Sequence, residues 1–250
     1  MELKTVPRIK VIGIIPARGG SKSIPHKNIA MVAGKPLIYY SIKAAQEAKL
    51  LDACIVSTDD PKIAAVAKKF GADVPFLRPA KISQDRSKDI EFMRHALAWV
   101  KKNRGWEPEI LVNLRPTSPL RSGKDIDAVI TVALKEKCSL VKTVSSPLPH
   151  NPFKMWKFDG KNKIKPLLPT KYYKKMGTDA PRQLLPQVYW QNGLVDAIRV
   201  ENIKTGKIFA GPICGVITDP AKSIDLDEPK DLLTLERLIK KNILITNYSN

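Results

Sequence analysis

Short apolar runs rich in β-branched residues alternate with helical patterns through the first two-thirds of the chain. No other feature narrows the fold as much. "KVIGIIPA", "DACIVSTD", "EILVNL" and "SLVKTVSS" have the length and composition of buried strands. Between them, "PLIYYSIKAAQEAKL", "PKIAAVAKKFGA", "SKDIEFMRHALAWVKKN" and "GKDIDAVITVALKEK" carry apolar residues at helical spacing. Pro36 falls near the start of the first helix, where its missing N–H costs nothing. Gly71 closes the second, and the third stops before Gly105. "DVPFLRP" reads as a short extended piece. Strands alternating with helices predict an α/β fold, with a mostly parallel sheet and helices on both faces.

In such sheets ligands bind beyond the carboxyl ends of the strands. Three polar loops fall there: "RGGSKSIPHKN", "STDDP" and "RPTSPLR". The first is unusual. Gly19 and Gly20 let the backbone approach an oxyanion closely, and successive N–H groups form an anion nest. Arg18 and Lys22 add charge, with His26, Lys27 and Asn28 behind them. The loop matches neither Gly-x-x-x-x-Gly-Lys-Ser/Thr nor Gly-x-Gly-x-x-Gly. It suits a triphosphate; a plain surface turn is the alternative.

From Pro147 to Trp190 the pattern breaks. Seven of the 20 prolines lie here, with nine basic residues against two acids. So long an irregular piece inside a compact domain implies a purpose. It is expected to leave the main sheet, with short hairpins, to cover an active site or embrace another subunit. Two more strands follow, "NGLVDAIRV" and "GPICGVIT", then "SIDLDEPKDLLTLERLIKKN", a turn with acids and an amphipathic helix. There is no internal repeat, and the 250 residues are read as a single domain, 1–250.

Asp225 and Asp227 stand two apart. On an extended segment they point the same way. Paired carboxylates repel unless a cation sits between them, and Mg2+ takes oxygen ligands together with substrate phosphates. The alternative is a pair of solvated turn residues before a helix. A cationic glycine loop and a carboxylate pair together are what nucleotidyl transfer needs.

Composition removes other classes. The net charge of +19 suits a polyanionic or phosphorylated partner. No basic stripe interleaves with aromatics, so no nucleic-acid partner is expected. No apolar run reaches 18 residues, so no membrane span is expected. The charged N-terminus does not read as a secretory signal, and a cytoplasmic location is expected. Cys54, Cys138 and Cys214 are scattered singly; their odd number argues against a disulfide framework, and each reads as a small buried hydrophobe.

"IIPARGGSKSIPHKN" resembles the nucleotide-binding signature of the acylneuraminate cytidylyltransferases. The likeness continues through "STDD", "LRPA", "RPTSPLR", "RQLLPQVYWQNG" and "SIDLDEPKDL", from about Val11 to Leu238. It implies a Rossmann-like fold and a homodimer, in which the segment 147–190 reaches into the neighbouring subunit's sugar site. It implies transfer of CMP from CTP to a nine-carbon 2-keto sugar acid, with Mg2+. By matching positions, the nucleotide falls to Ala17, Arg18, Gly19, Ser21, Lys22, Lys27, Asn28, Arg78, Asp85 and Thr117. The sugar falls to Arg115, Ser118, Lys154, Arg182, Gln183 and Asn192. Asp225 and Asp227 hold the metal, and with Lys22 they form the catalytic set.

Two positions depart from the sialic acid branch: Arg115 replaces a glutamine, and Trp190 stands where a basic residue is usual. A guanidinium fork fits a carboxylate or phosphate better than an amide does. Both changes point towards a legionaminic- or pseudaminic-type acid. The alternatives are the related enzyme for an eight-carbon acid, 3-deoxy-manno-octulosonate, and a nucleotide-binding member of the fold without turnover.

Overall fold

The computed structural model describes residues 9–147, 150–168, 181–224, 226 and 228–248, with the backbone alone at 182 and 241–248. In chain order, β1 (Val11–Pro16) leads to a small hairpin, β2 (Met31–Val32) and β3 (Lys35–Pro36). Then come α1 (Leu37–Glu47), β4 (Ala53–Ser57), α2 (Pro61–Lys69), α3 (Asp89–Arg104), β5 (Ile110–Asn113), α4 (Gly123–Lys135) and β6 (Leu140–Ser145). A second hairpin, β7 (Trp156–Phe158) and β8 (Ile164–Pro166), precedes β9 (Trp190–Arg199), α5 (Val200–Thr205), β10 (Ile213–Ile217) and α6 (Pro229–Tyr248).

The central sheet has six strands in the order β10-β6-β9-β5-β1-β4. All pairs are parallel except those of β9, which runs antiparallel to β5 and β6. The period of two sorts each strand between the faces. Val11 and Ile15 of β1 face one way, into a core with Ile38, Ile42, Ile63, Ile126 and Ile130 of α1, α2 and α4. Ile12 and Ile14 face the other way, against Phe92, Met93 and Leu97 of α3 and Ile203 of α5. Helices therefore cover both faces, as expected. In a smaller cluster, Leu235 and Ile239 of α6 pack with Leu226, Val32 and Leu37.

Close approaches fix the helices. A Cβ on Gly123 would stand 2.7 Å from the Glu47 carbonyl carbon, so only glycine lets the start of α4 meet the end of α1. Gly71 and Gly105 adopt φ of +79° and +67°, which ends α2 and α3 where the sequence predicted. From β1 the chain crosses to β4 on one side and returns to β5 on the other. The crevice beyond the carboxyl ends of β1 and β5 is thus a topological switch point, the place such sheets bind ligands.

Of the segment 147–190, the described part holds the β7–β8 hairpin, which pairs only with itself in a separate sheet. Trp156, Phe158 and Ile164 on it are exposed. Among the described residues, no helix is long and apolar enough to cross a membrane.

The cysteine reading needs correction. Cys138 and Cys214 are joined in a disulfide, with Cα atoms 5.9 Å apart. Cys138 precedes β6 and Cys214 lies on β10, so parallel pairing brings together two residues that look isolated in sequence. Cys54 is the free thiol, and burial pushes its pKa up to about 12. Thiol titration in denaturant is expected to find one group before reduction and three after. Cys214→Ser is expected to lower stability by ~2–4 kcal/mol in a denaturant titration. Equal thiol counts before and after reduction would remove the bond.

Candidate active site

The glycine loop leaves β1 at Ala17, whose N–H still donates to the Ser57 carbonyl at 2.9 Å and whose side chain is buried in the core. Residues of the "STDDP" loop then shape it from behind. Asp59 Oδ1 accepts the Gly19 N–H at 3.0 Å. Asp60 caps α2 by accepting from the Lys62 and Ile63 N–H groups at 2.7 and 3.4 Å. A Cβ on Gly19 would stand 2.8 Å from Asp60 Oδ2, whereas one on Gly20 meets nothing within 4 Å. Asn28 closes the loop, its Nδ2 donating to the Arg18 carbonyl at 2.9 Å. Lys27 Nζ donates to the Leu226 carbonyl, which ties the loop to the chain between the two aspartates in sequence.

A cleft of about 340 Å³ opens beside this loop, at the switch point. Arg18, Ser21, Lys27, Asn28, Arg78, Asp85, Arg115 and Thr117 line it, all residues the sequence had singled out. Arg78 is 6 % exposed. Its Nε donates to Ser57 Oγ at 3.0 Å, and its guanidinium lies 4.9 Å from the centre of the Phe92 ring. Burial lowers its pKa to about 10, against the pull of Asp59 and Asp89. Across the mouth, Asp85 pairs with Arg18 at 2.8 Å and with Lys22 at 2.5 Å. Those two cations hold the Asp85 carboxyl below its ordinary pKa. Lys22 is otherwise in solvent, 84 % exposed.

A second cleft of about 240 Å³ adjoins the first and shares Arg115 and Thr117 with it. Ser118, Asn192, Trp190, Lys142, Asp196 and Ile224 are among its lining residues. Ser118 Oγ donates to the Gly193 carbonyl at 3.1 Å, and Asn192 Nδ2 to Thr218 Oγ1 at 2.7 Å. Arg115 spans the boundary: Nη1 meets Asp196 Oδ2 and Nη2 meets Asp89 Oδ2, each at 2.7 Å. Burial works against its charge, but Asp196 and Asp89 outweigh burial and raise its pKa. Lys142 Nζ reaches the other Asp196 oxygen at 3.3 Å.

Lys154 and Gln183 line neither cleft. The Arg182 side chain, Asp225 and Asp227 lie outside the described residues. Among the described residues, no group of three or more His, Cys, Asp or Glu could hold a metal ion. Sequence reasoning missed Lys142, Asp196 and Asp89. A signal existed for the first two: each is a charged residue inside an apolar strand pattern, "SLVKTVSS" and "NGLVDAIRV". Strand register places them directly opposite one another.

Ahead of Asp225, Lys222 Nζ binds both oxygens of Asp125, at 2.8 and 2.7 Å. Asp125 also accepts from the Ser122 N–H at 2.8 Å in the capping box of α4.

A cleft lined by Arg18, Lys27, Arg78 and Arg115 at the switch point of a mostly parallel sheet, with a second polar cleft alongside, defines an α/β protein with a cationic ligand site. Comparison with known proteins narrows this. The family profile described as "Cytidylyltransferase" matches residues 12–154. The CMP-N,N'-diacetyllegionaminic acid synthase of Legionella pneumophila is 30% identical over 239 residues, 94% of this chain and 98% of that protein. Post-translational flagellin modification protein B of Campylobacter coli is 30% identical over 238 residues, 94% and 97% of the two chains. The N-acylneuraminate cytidylyltransferase of Escherichia coli is 38% identical over 139 residues, 55% of this chain and 32% of that longer protein. Among solved structures, the CMP:2-keto-3-deoxy-manno-octonic acid synthetase complexed with CTP superposes with a TM-score of 0.65 at 15% identity, covering 93% of this chain and 99% of that one. This chain belongs to the cytidylyltransferase family.

Two consequences are measurable. Gly19→Ala is expected to push Asp60 off the start of α2 and cost ~1 kcal/mol in a denaturant titration, with Gly20→Ala costing less; equal costs would show that the close approach is not needed. The second concerns acid. Burial works against the charged form of Asp125, but Lys222 and Ser122 outweigh it and hold the carboxyl below its ordinary pKa. A depressed folded-state pKa means stability that is present above the unfolded value and lost as pH falls through the folded one. The loss therefore lies below about pH 4. Asp125→Asn is expected to flatten that part of the stability–pH curve; an unchanged slope would refute the contribution.

Proposed function

We propose that this protein transfers CMP from CTP to the anomeric hydroxyl of a nine-carbon 2-keto sugar acid and releases pyrophosphate. The observation that carries the reading is the pair of adjoining clefts with a shared wall: a larger cationic one at the glycine loop and a smaller one beyond Arg115 and Thr117. A nucleotide in the first and a sugar acid in the second would meet at that wall. A relative aligned over nearly the whole chain, the CMP-N,N'-diacetyllegionaminic acid synthase of Legionella pneumophila, supports a diamino nonulosonic acid as acceptor rather than sialic acid.

In this reading the sugar oxygen forms a bond to the α-phosphorus as the hydroxyl loses its proton. The bond from that phosphorus to the bridging oxygen breaks, and its electron pair leaves with pyrophosphate. The protein's part is to position the reactants and stabilise charge. Arg18 and Lys22 leave Asp85 to meet phosphate oxygens, while Asp85 stays available to the nucleoside. Arg78, buried and without an ion pair among the described residues, keeps a cation at the cleft wall. Mg2+ is the proposed cofactor, because two carboxylates two residues apart plus phosphate oxygens make the all-oxygen donor set it prefers. Asp225 and Asp227 would hold it, beside a loop already tied to their chain by Lys27. When bound, the ion neutralises charge that develops on the phosphate oxygens.

We further propose a homodimer joined through the segment 147–190, whose hairpin presents Trp156, Phe158 and Ile164 to solvent in the single chain. The cytoplasm, where CTP is supplied, is the proposed location.

Pyrophosphate release with CTP and Mg2+ should be assayed against sialic, legionaminic, pseudaminic and 3-deoxy-manno-octulosonic acids. Release is expected with a nine-carbon diamino acid, to be lost with EDTA and to fall at least ~100-fold in kcat in Asp225→Ala and Lys22→Ala. Efficient turnover of sialic acid with no turnover of legionaminic acid would refute the acceptor assignment. Turnover of the eight-carbon acid alone would move the protein to that branch.

A further inference from the structure

Arg115 looks, from sequence, like the group that would clamp a substrate carboxylate. In the structure each of its terminal nitrogens already gives an N–H to a carboxylate. Nη1 is held by Asp196 and Nη2 by Asp89, each at 2.7 Å. Asp89 opens α3 and lines the first cleft, while Asp196 lies on β9 and lines the second. A guanidinium braced in this way fixes the wall between the clefts; it keeps N–H groups for a ligand, but its charge is already met by two carboxylates.

Lys142 is differently placed. It stands on β6 directly across from Asp196 and lines the second cleft. Among the described residues its one ion pair, to Asp196 Oδ1, is long at 3.3 Å. An ammonium has three donors, so two remain for a ligand. Asp196, only 5 % exposed, receives both cations and so holds Lys142 against the floor of the cleft.

The chemistry of the acceptor asks for such a cation. A 2-keto sugar acid carries its carboxylate on the anomeric carbon itself, next to the hydroxyl that attacks. The carboxylate must therefore approach a phosphate to within a few ångströms. Unless a positive group meets it there, the two anions repel each other. We infer that Lys142 binds the acceptor's carboxylate in the second cleft, and that Asp196 and Arg115 are positioning residues that hold it and the wall beside it. This rests on the proposed function and names the residue that selects an acidic acceptor.

The test is Lys142→Met, which keeps the aliphatic stem and leaves Asp196 paired with Arg115. The acceptor KM is expected to rise about 10–100-fold, the range for losing a charged hydrogen bond. The KM for CTP should not change, and Lys142→Arg should recover most of the loss. The acceptor's carboxamide should bind wild type and Lys142→Met equally, a pattern that a merely structural role would not give. An unchanged acceptor KM, or an equal loss with acid and amide, overturns the assignment while leaving the cytidylyltransferase reading intact. If wild type turns over none of the acids, the proposed function falls. Calorimetric binding of the same acids then decides: weaker binding by Lys142→Met sustains the carboxylate site, and equal or undetectable binding overturns it.

Discussion

Arg121 is 4 % exposed, and its guanidinium reaches three separate parts of the fold. Nη1 donates to the Leu194 carbonyl on β9, and Nη2 to Ser41 Oγ on α1 at 2.6 Å and to the Arg115 carbonyl at 3.3 Å. Burial lowers its pKa to about 10, and among the described residues Nε finds no partner and no carboxylate pairs with the guanidinium. A cation held so deep is costly to keep. What it achieves is to fix the loop after β5 against both the helix layer and the antiparallel strand. That loop supplies Arg115 and Thr117, the residues common to the two clefts. The wall between them is held from behind by this side chain, as it is held from the front by the pairs Arg115 makes to Asp89 and Asp196.

Around that wall, every one of four cations meets a carboxylate before any ligand arrives. Arg18 and Lys22 share Asp85, Arg115 spans Asp89 and Asp196, and Lys142 completes the set. What sets the wall apart is Asp196: it is nearly buried and holds both Arg115 and Lys142, whereas Asp85 at the mouth of the first cleft is solvated, as is Asp89. An ion pair in solvent is worth little and exchanges readily, whereas a buried carboxylate is costly to leave without its cations.

Much of this was legible in the sequence. Period-two and helical patterns placed the elements, and Gly71 and Gly105 ended their helices as expected, because these signals are local. The lining of the larger cleft was legible for the same reason: Arg18 to Asn28 lie in one continuous loop after β1, and Arg115 lies in the loop after β5. What escaped depends on which strands become neighbours. Nothing within "SLVKTVSS" says that Lys142 will face Asp196, because β9 inserts antiparallel between β5 and β6. The Cys138–Cys214 bond escaped in the same way, since it follows from the pairing of β10 with β6.

That bond also changes what the chain is as a covalent object. It closes a ring over a sequence separation of 76 residues, and the ring contains β6, β9 and the whole irregular segment 147–190. A protease that cut the exposed β7–β8 hairpin would therefore release no fragment. Both halves would stay tethered, with β6 still stitched to β10, and the sheet that carries the clefts would keep its strands. Only a cut followed by reduction would divide the molecule. The least regular part of the chain is thus also the part whose backbone can be broken with the least consequence for the rest.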